Sequence, residues 1–290
     1  MPSRERDNLR AAAGVGLRSV HVAEVIATRP SVPWFEVHAE NYMAPGGPAL
    51  RALERIRESY PVAVHAVGLS LGSADPLDAR HLRRLRALVD RIQPVLVSDH
   101  LSWSTLGGVY VNHLLPLPYT AETLHLVCDH VAQAQDALGR RLLVENPSSY
   151  LSFRESPIPE PAFLAEVARR TGCELLCDVN NIYVTSVNLG LDPIAYVDAL
   201  PSGAIEEFHL AGHSVNDADG VTVLIDDHGA RVAPEVWALY DYALSRSGPR
   251  PTLVEWDSEI PALSVLLEEA RHAGALMDSS VAGERHAVAS

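Results

Sequence analysis

Cysteine is scarce in this chain, with three residues among 290: Cys128, Cys173 and Cys177. The last two are spaced C-x-x-x-C, which differs from the C-x-x-C spacing that is typical of zinc and redox sites. An odd number of cysteines without a paired framework argues against a disulfide-stapled fold and indicates a reducing compartment. We therefore interpret all three as small buried apolar residues.

Long apolar runs and an excess of positive charge are also absent. No run approaches the ~20 apolar residues that a transmembrane helix needs, and the amino-terminal M-P-S-R-E-R-D-N-L-R lacks the apolar core of a signal peptide. The formal net charge of −14 argues against nucleic acid or an anionic membrane surface as the main partner. The sequence predicts a cytoplasmic protein that binds neither nucleic acid nor membrane.

Several common active-site motifs are missing as well. The chain has no G-x-G-x-x-G or P-loop motif, which weakens the case for a doubly wound open sheet with a nucleotide site. It also has no G-x-S-x-G motif, so a serine nucleophile of the hydrolase type is not indicated.

What the chain does contain is an alternation of short apolar strands with helical segments. We predict strands at residues 14–18, 34–38, 62–67, 94–98, 142–145, 174–179, 205–210 and 252–256. Eight such units in one chain of this length predict a single-domain α/β fold, the TIM (β/α)8 barrel. We assign this domain to residues 1–276 and expect residues 277–290 to form a disordered tail.

The predicted strands end in polar side chains. In E-L-L-C-D-V-N-N, Glu174 to Asn181, the apolar run stops at Asp178, and Asp178 and Asn180 would share one side of the strand because they are two residues apart. The carboxyl ends of TIM-barrel strands form one face, so these endings should converge. The candidates at strand ends are His65, His100, Glu145, Asp178, Asn180, His209 and Glu255, with His38, His213, Asp226, His228 and Asp257 nearby.

Imidazole and carboxylate ligands together suit iron, zinc or manganese. A single metal needs only three or four protein ligands, so the surplus predicts two or three metals with bridging carboxylates. The alternative is that each polar group merely faces water or caps the next helix. That alternative is plausible for any single residue, but the occurrence of the whole set at strand ends argues against it. Paired carboxylates for glycoside cleavage would leave the histidines unexplained. The histidines predicted to lie on a helical surface or in the tail are His21, His81, His125, His130, His272 and His286.

The segment from Leu101 to Tyr119 is long for a connection between a strand and a helix, and long loops are usually functional. Its Gly107-Gly108 pair between β-prone flanks predicts a hairpin. Its aromatic and hydrogen-bonding side chains suit a bound peptide, and they are Trp103, Tyr110, Asn112 and His113. The alternative is that the hairpin plugs the other side of the barrel or packs in a dimer contact.

Eight motifs occur in order between about Gly14 and Ala273. They are W-F-E-V-H-A-E-N-Y, H-A-V-G-L-S-L-G, V-S-D-H-L-S-W, V-E-N-P-S-S-Y, C-D-V-N-N-I-Y-V, F-H-L-A-G-H, L-I-D-D-H-G and L-V-E-W-D. Together they resemble the multinuclear non-heme iron-dependent oxidative enzymes, the family of the methanobactin biosynthesis enzyme B.

This resemblance implies a TIM barrel with two or three irons at its mouth, in mixed Fe(II) and Fe(III) states, and dioxygen as co-substrate. It also implies oxidative modification of a ribosomally synthesised precursor peptide, often at cysteine, and a small partner protein that presents the peptide. The iron ligands that it implies are His65, His100, Glu145, Asp178, Asn180, His209 and Glu255, and less firmly His38, His213 and Asp226. Among these we assign the catalytic role to Glu145, Asp178 and His209.

Two other functions remain open from the sequence. One is a divalent-metal isomerase or phosphodiesterase of the sugar-isomerase-like barrels, whose mouths carry similar side chains. The other is a non-catalytic metal-bearing module that binds peptide without consuming dioxygen.

Overall fold

Eight parallel strands close into a barrel in the computed structural model, which describes residues 5–6, 8–218 and 220–288. The strands in chain order are β1 (Ala13–Gly16), β2 (Phe35–His38), β3 (Val62–His65), β4 (Val97–His100), β5 (Trp103–Leu106), β6 (Val109–Leu115), β7 (Leu143–Glu145), β8 (Glu174–Asp178), β9 (Ile205–Leu210), β10 (Ser214–Ala218), β11 (Val221–Ile225) and β12 (Thr252–Val254). The barrel order is β1-β12-β9-β8-β7-β4-β3-β2, with β2 pairing back to β1. The predicted TIM barrel is confirmed.

Helices follow the barrel strands and cover the outside. They are α1 (Val22–Thr28), α2 (Pro48–Arg57), α3 (Ala79–Ile92), α4 (Ala121–Leu138), α5 (Glu160–Thr171), α6 (Val179–Leu189), α7 (Pro193–Ala199), α8 (Pro234–Ser247) and α9 (Leu263–Val288). The carboxylate of Asp78 accepts the backbone N–H of Arg80 and caps the start of α3. Among the helices of the described ranges, none is both long and apolar enough to cross a membrane.

The barrel interior changes from apolar to polar along the strands. Its lower layer is a buried apolar cluster that includes Trp34, Ala63, Leu96, Leu143, Leu176 and Leu253. Two residues further along, on the same side of each strand, come the polar residues Glu36, His65, Ser98, Glu145, Asp178 and Glu255, all of them buried. Gly14 makes room for this layer, since a Cβ there would lie 2.6 Å from the Trp34 ring. The apolar layer closes one end of the barrel and leaves the polar side chains at the other.

Two antiparallel hairpins stand outside the barrel. One pairs β5 with β6 around Gly107 and Gly108, whose φ angles of +59° and +75° are the left-handed values that glycine adopts at little cost. The other pairs β10 with β11. The hairpin around Gly107 and Gly108 agrees with the sequence prediction.

Three sequence predictions differ from the structure. The strand at β8 ends at Asp178 and a helix starts at once, so Asn180 lies in the first turn of α6 and not on the strand. The last helix, α9, continues through residue 277 to Val288, and Met277 is buried, so the expected tail boundary is not seen; residues 289 and 290 lie outside the described ranges. His21 and His130 are buried rather than on the surface, because each ring bonds to a backbone carbonyl, of Pro261 and of Leu71 respectively.

Candidate metal centre

The ends of β3, β4 and β7 bring three buried side chains together. His65 Nε2 and His100 Nε2 lie 3.4 and 3.3 Å from the same oxygen, Glu145 Oε2, and 3.4 Å from each other. Ligand atoms that bind one tetrahedral ion at about 2.1 Å lie about 3.4 Å apart. Glu145 Oε2 is buried and has no hydrogen-bond partner in the described part of the chain. The three atoms therefore fit one metal ion.

Neighbouring groups orient these two imidazoles. His65 Nδ1 lies 2.7 Å from the Ser98 hydroxyl, which leaves Nε2 to face Glu145. Asp99 turns away from the centre, because its carboxylate accepts the backbone N–H groups of Leu69 and His100. Of the adjacent pair Asp99 and His100, His100 therefore directs its side chain to the centre.

Glu145 also belongs to a second group, with Asp178 and His209. The Asn146 side chain brackets Asp178, accepting its backbone N–H and donating to its backbone carbonyl at 2.9 Å. The backbone N–H of Asn181 donates to Asp178 Oδ1 at 2.7 Å, so Oδ2 is the oxygen left without a partner among the described residues. The helix cap thus holds one oxygen and presents the other to the group.

Glu255, at the end of β12, extends the cluster. Its Oε2 lies 3.2 Å from His209 Nδ1 and 3.6 Å from His228 Nδ1, and Asp178, His228 and Glu255 form a further candidate group. His228 Nε2 lies 2.8 Å from Asp226 Oδ1. His228 has a φ of +46°, rare for a side-chain-bearing residue, and its carbonyl accepts the backbone N–H of Asp257 at 2.8 Å. Contacts with the segment after β12 therefore hold this loop over the mouth.

His38 lies at a different edge of the mouth. Its Nε2 is 3.1 Å from Glu255 Oε1, and His38, Glu255 and Asp257 form a group within metal-binding distance. The guanidinium of Arg18 already contacts both carboxylates of that group. Because a fixed cation supplies the positive charge there, this group suits a metal less well than the groups around Glu145.

Asn180 and His213 contact each other. His213 Nδ1 lies 2.8 Å from Asn180 Oδ1, and Asn180 Nδ2 donates to Asp226 Oδ1 at 2.8 Å. Both ends of the Asn180 amide are thus engaged, and His213 belongs to none of the candidate groups found in the described ranges. This chain of contacts orients Asp226 toward His228.

Burial dominates the electrostatics of the cluster. Burial raises the pKa of Glu145 to about 8 and that of Asp178 to about 7, because a carboxylate loses its hydration there. Burial alone would lower the pKa of His100, but Glu145 and Asp99 raise it to about 9. Burial and the neighbouring His100 lower the pKa of His65. The cluster without metal thus holds protons that a bound cation would displace.

Some residues of the cluster were not in the predicted ligand set. His228 and Asp257 had been named only as nearby, and the buried Glu36 and Glu207 had no assigned role. Glu36 and Glu207 form a group with His209. The alternation of side chains along a strand could have indicated both residues. Glu36 precedes His38 by two residues and Glu207 precedes His209 by two, so each shares a side of its strand with a candidate ligand.

A cleft of about 210 Å³ opens onto the cluster, lined by residues that include His65, His100, His228 and Glu255. A second cavity, of about 540 Å³, shares Val67, Leu114, Ser148 and Asp226 with that cleft and is also lined by Tyr110, Asn112 and His113. Trp103 lines neither cavity, and its ring N–H donates to the Pro116 carbonyl, so it braces the hairpin. Three of the four predicted substrate-binding residues therefore line a cavity that adjoins the cleft over the cluster.

Comparison with known proteins identifies relatives over nearly the whole chain. The profile of a family described as RiPP precursor modification enzyme MbnB/TglH/ChrH matches residues 12–278. A UPF0276 protein of Acaryochloris marina is 50% identical over 261 residues, which cover 90% of this chain and 93% of that protein. A UPF0276 protein of Caulobacter vibrioides is 50% identical over 267 residues, covering 92% and 95%.

Solved structures share the fold at low sequence identity. An L-ribulose 3-epimerase has a TM-score of 0.63 and 16% identity, with 95% of this chain and 97% of that chain covered. Endonuclease IV from Thermus thermophilus has a TM-score of 0.59 and 18% identity, with 92% and 99% covered. These likenesses concern the barrel alone.

Proposed function

This chain belongs to the family of RiPP precursor modification enzymes described as MbnB/TglH/ChrH, and from that membership we propose that it oxidises a ribosomally synthesised precursor peptide. The proposed reaction occurs at a cysteine and uses dioxygen and a centre of two or three irons in mixed Fe(II) and Fe(III) states. One observation carries the multinuclear part: Glu145 belongs to two candidate groups at once. A shared carboxylate suits two ions held side by side.

The proposed ligands divide into groups by geometry. His65, His100 and Glu145 would hold one ion, and Glu145, Asp178, His209 and Glu255 the next. Asp226 and His228 are the best candidates for a third, with Asn180 and His213 as the groups that orient Asp226. Mixed imidazole and carboxylate ligands suit iron, although they also suit zinc and manganese.

When bound, the irons would supply oxidation by dioxygen and a positive charge that favours the thiolate form of a substrate cysteine. Glu145, Asp178 and His209, the proposed catalytic residues, are buried behind the residues that line the cleft and would act there as ligands of the ions. The chain's own thiols do not compete for this position. Cys177 adjoins Asp178 but points to the opposite side of β8, and burial raises its pKa, so it stays protonated.

The peptide would approach along the hairpin. Tyr110, Asn112 and His113 line the cavity that adjoins the metal cleft. We propose that they hold the peptide while Trp103 braces β5 against Pro116. The exposed apolar side chains of both hairpins, Leu106, Val109, Val215 and Val221, suit the small partner protein that would present the peptide.

The test is direct. Protein prepared anaerobically with ferrous iron should hold more than one iron per chain by elemental analysis. It should also consume dioxygen when given a cysteine-containing precursor peptide encoded beside its gene, and mass spectrometry should show the peptide oxidised. One iron or fewer in fully loaded protein would refute the multinuclear site, and full turnover with zinc or manganese in place of iron would refute the oxidase.

A further inference from the structure

Two fully buried carboxylates lie beneath the proposed metal ligands. Glu36 on β2 and Glu207 on β9 are 2% and 0% exposed, and we call them the carboxylate pair. None of their four oxygens makes a hydrogen bond of regular geometry in the part of the chain that the structure describes, and neither does the nearby His209 Nε2. A buried carboxylate without a partner is costly, so a pair of them in the barrel interior needs an explanation.

The carboxylate pair faces one nitrogen of the His209 ring, Nε2. Glu36 Oε1 lies 3.3 Å and Glu207 Oε1 lies 3.7 Å from His209 Nε2. The other nitrogen, Nδ1, faces upward, 3.2 Å from Glu255 Oε2 and 3.9 Å from Glu145 Oε1. A neutral imidazole carries its proton on one nitrogen and a lone pair on the other.

We propose that Glu36 and Glu207 are positioning residues that hold the proton of His209 on Nε2 and so leave the Nδ1 lone pair free for the metal. The carboxylates fix the tautomer and the ring orientation together, because rotating the ring would remove Nε2–H from both acceptors. Their negative charge also makes Nδ1 a stronger donor. Metal-binding histidines commonly have a carboxylate behind them for these reasons.

This inference rests on the proposed function, since it takes His209 as a metal ligand. It adds that residues on β2 and β9 orient this ligand. Glu36 is the nearer acceptor and Glu207 the second, so the loss of one carboxylate should leave the other to act.

The experiment compares two double variants. Glu36→Gln with Glu207→Gln keeps an acceptor oxygen at each position, whereas Glu36→Met with Glu207→Met removes the acceptors at similar volume. We expect the methionine pair to bind ferrous iron on the order of 10- to 100-fold more weakly than wild type, and the glutamine pair to restore most of that loss. Affinity is measured by chelator competition under anaerobic conditions, and Mössbauer spectra should change for the iron next to His209.

Controls separate positioning from general damage. The metal-free methionine pair is checked by thermal unfolding, and a cooperative transition shows that it is folded and that its lower iron affinity is not general damage. Glu160→Gln removes a carboxylate that is held by Tyr119 and Tyr196 away from the centre, and it should leave iron affinity unchanged. In a His209→Ala background the methionine pair should cause no further loss, because its effect passes through His209.

Three results would overturn the proposal. The first is wild-type affinity in the methionine pair. The second is a further tenfold loss in the His209→Ala background. The third is the loss of one whole ion with the spectrum of the others unchanged, which would make the carboxylate pair ligands of a separate cation. Wild-type protein that holds one iron or fewer would instead refute the multinuclear function, and the affinity comparison for that single ion would still decide the positioning role.

Discussion

Replacing Glu145 by glutamine should separate metal binding from stability. Glu145 Oε2 is the atom that faces both His65 Nε2 and His100 Nε2, and the same carboxylate also faces Asp178 and His209. An amide lacks the charge to bridge two ions. We therefore expect Glu145→Gln to weaken iron binding in both groups, by on the order of 100-fold or more, and not in one group alone.

The metal-free variant should become more stable than metal-free wild type. Burial raises the pKa of Glu145 from 4.5 to about 8. The folded protein therefore holds the proton of this carboxyl group more tightly than the unfolded chain does. Its contribution to the free energy of unfolding is fully present below pH 4.5 and is lost as pH rises toward 8. A pH of 7 is about 2.5 units above the ordinary pKa of a glutamate, which corresponds to a cost on the order of 3 kcal/mol that glutamine avoids. The gain from the substitution should grow between pH 4.5 and 8.

The assay is thermal unfolding of both proteins, with chelator and with ferrous iron, at pH 5 and pH 7.5. Glu145→Gln should melt higher than wild type with chelator and lower with iron, and the first difference should be larger at pH 7.5. Glu269→Gln is the matched control, because that buried carboxylate binds Arg231 in the outer layer and its loss should not alter iron content. A Glu145→Gln protein that loads iron like wild type would refute the bridging role.

Three further outcomes follow from the same geometry. Shortening the hairpin tip across Gly107–Gly108 should raise the Kd for precursor peptide without changing iron content, and unaltered peptide binding and turnover would show that the hairpin does not capture substrate. Metal binding should release protons and strengthen as pH rises from 6 to 9, since the metal displaces protons from Glu145 (pKa about 8) and His100 (pKa about 9). Calorimetry in buffers of different ionisation enthalpy measures this proton release, and the absence of any release at pH 7 would contradict the prediction. Gly212→Ala should lower stability by about 1–3 kcal/mol in denaturant titrations, because its Cβ would collide with the backbone carbonyl of Ala230, and wild-type stability would show that this loop yields freely.

The sequence alone determined the barrel and most of the proposed ligand set. Each barrel strand is a short apolar run, and its side chains alternate between the two sides of the sheet. Eight parallel strands can close in few ways, and closure brings all their carboxyl ends to one face. His65, His100, Glu145, Asp178 and His209 were therefore predictable as neighbours without any distance being known.

Tertiary structure decided what each side chain faces, because that depends on residues far apart in the chain. Asn180 was predicted to share a strand face with Asp178, but the cap at Asp178 starts α6 there, and Asn180 contacts His213 and Asp226 instead. Arg18 reaches Glu255 across more than two hundred residues, which no local pattern reveals. The pairing of Glu36 with Glu207 beneath His209 likewise appears only when β2 and β9 face each other across the closed barrel, since periodicity predicts the side of a strand and barrel closure selects the partner.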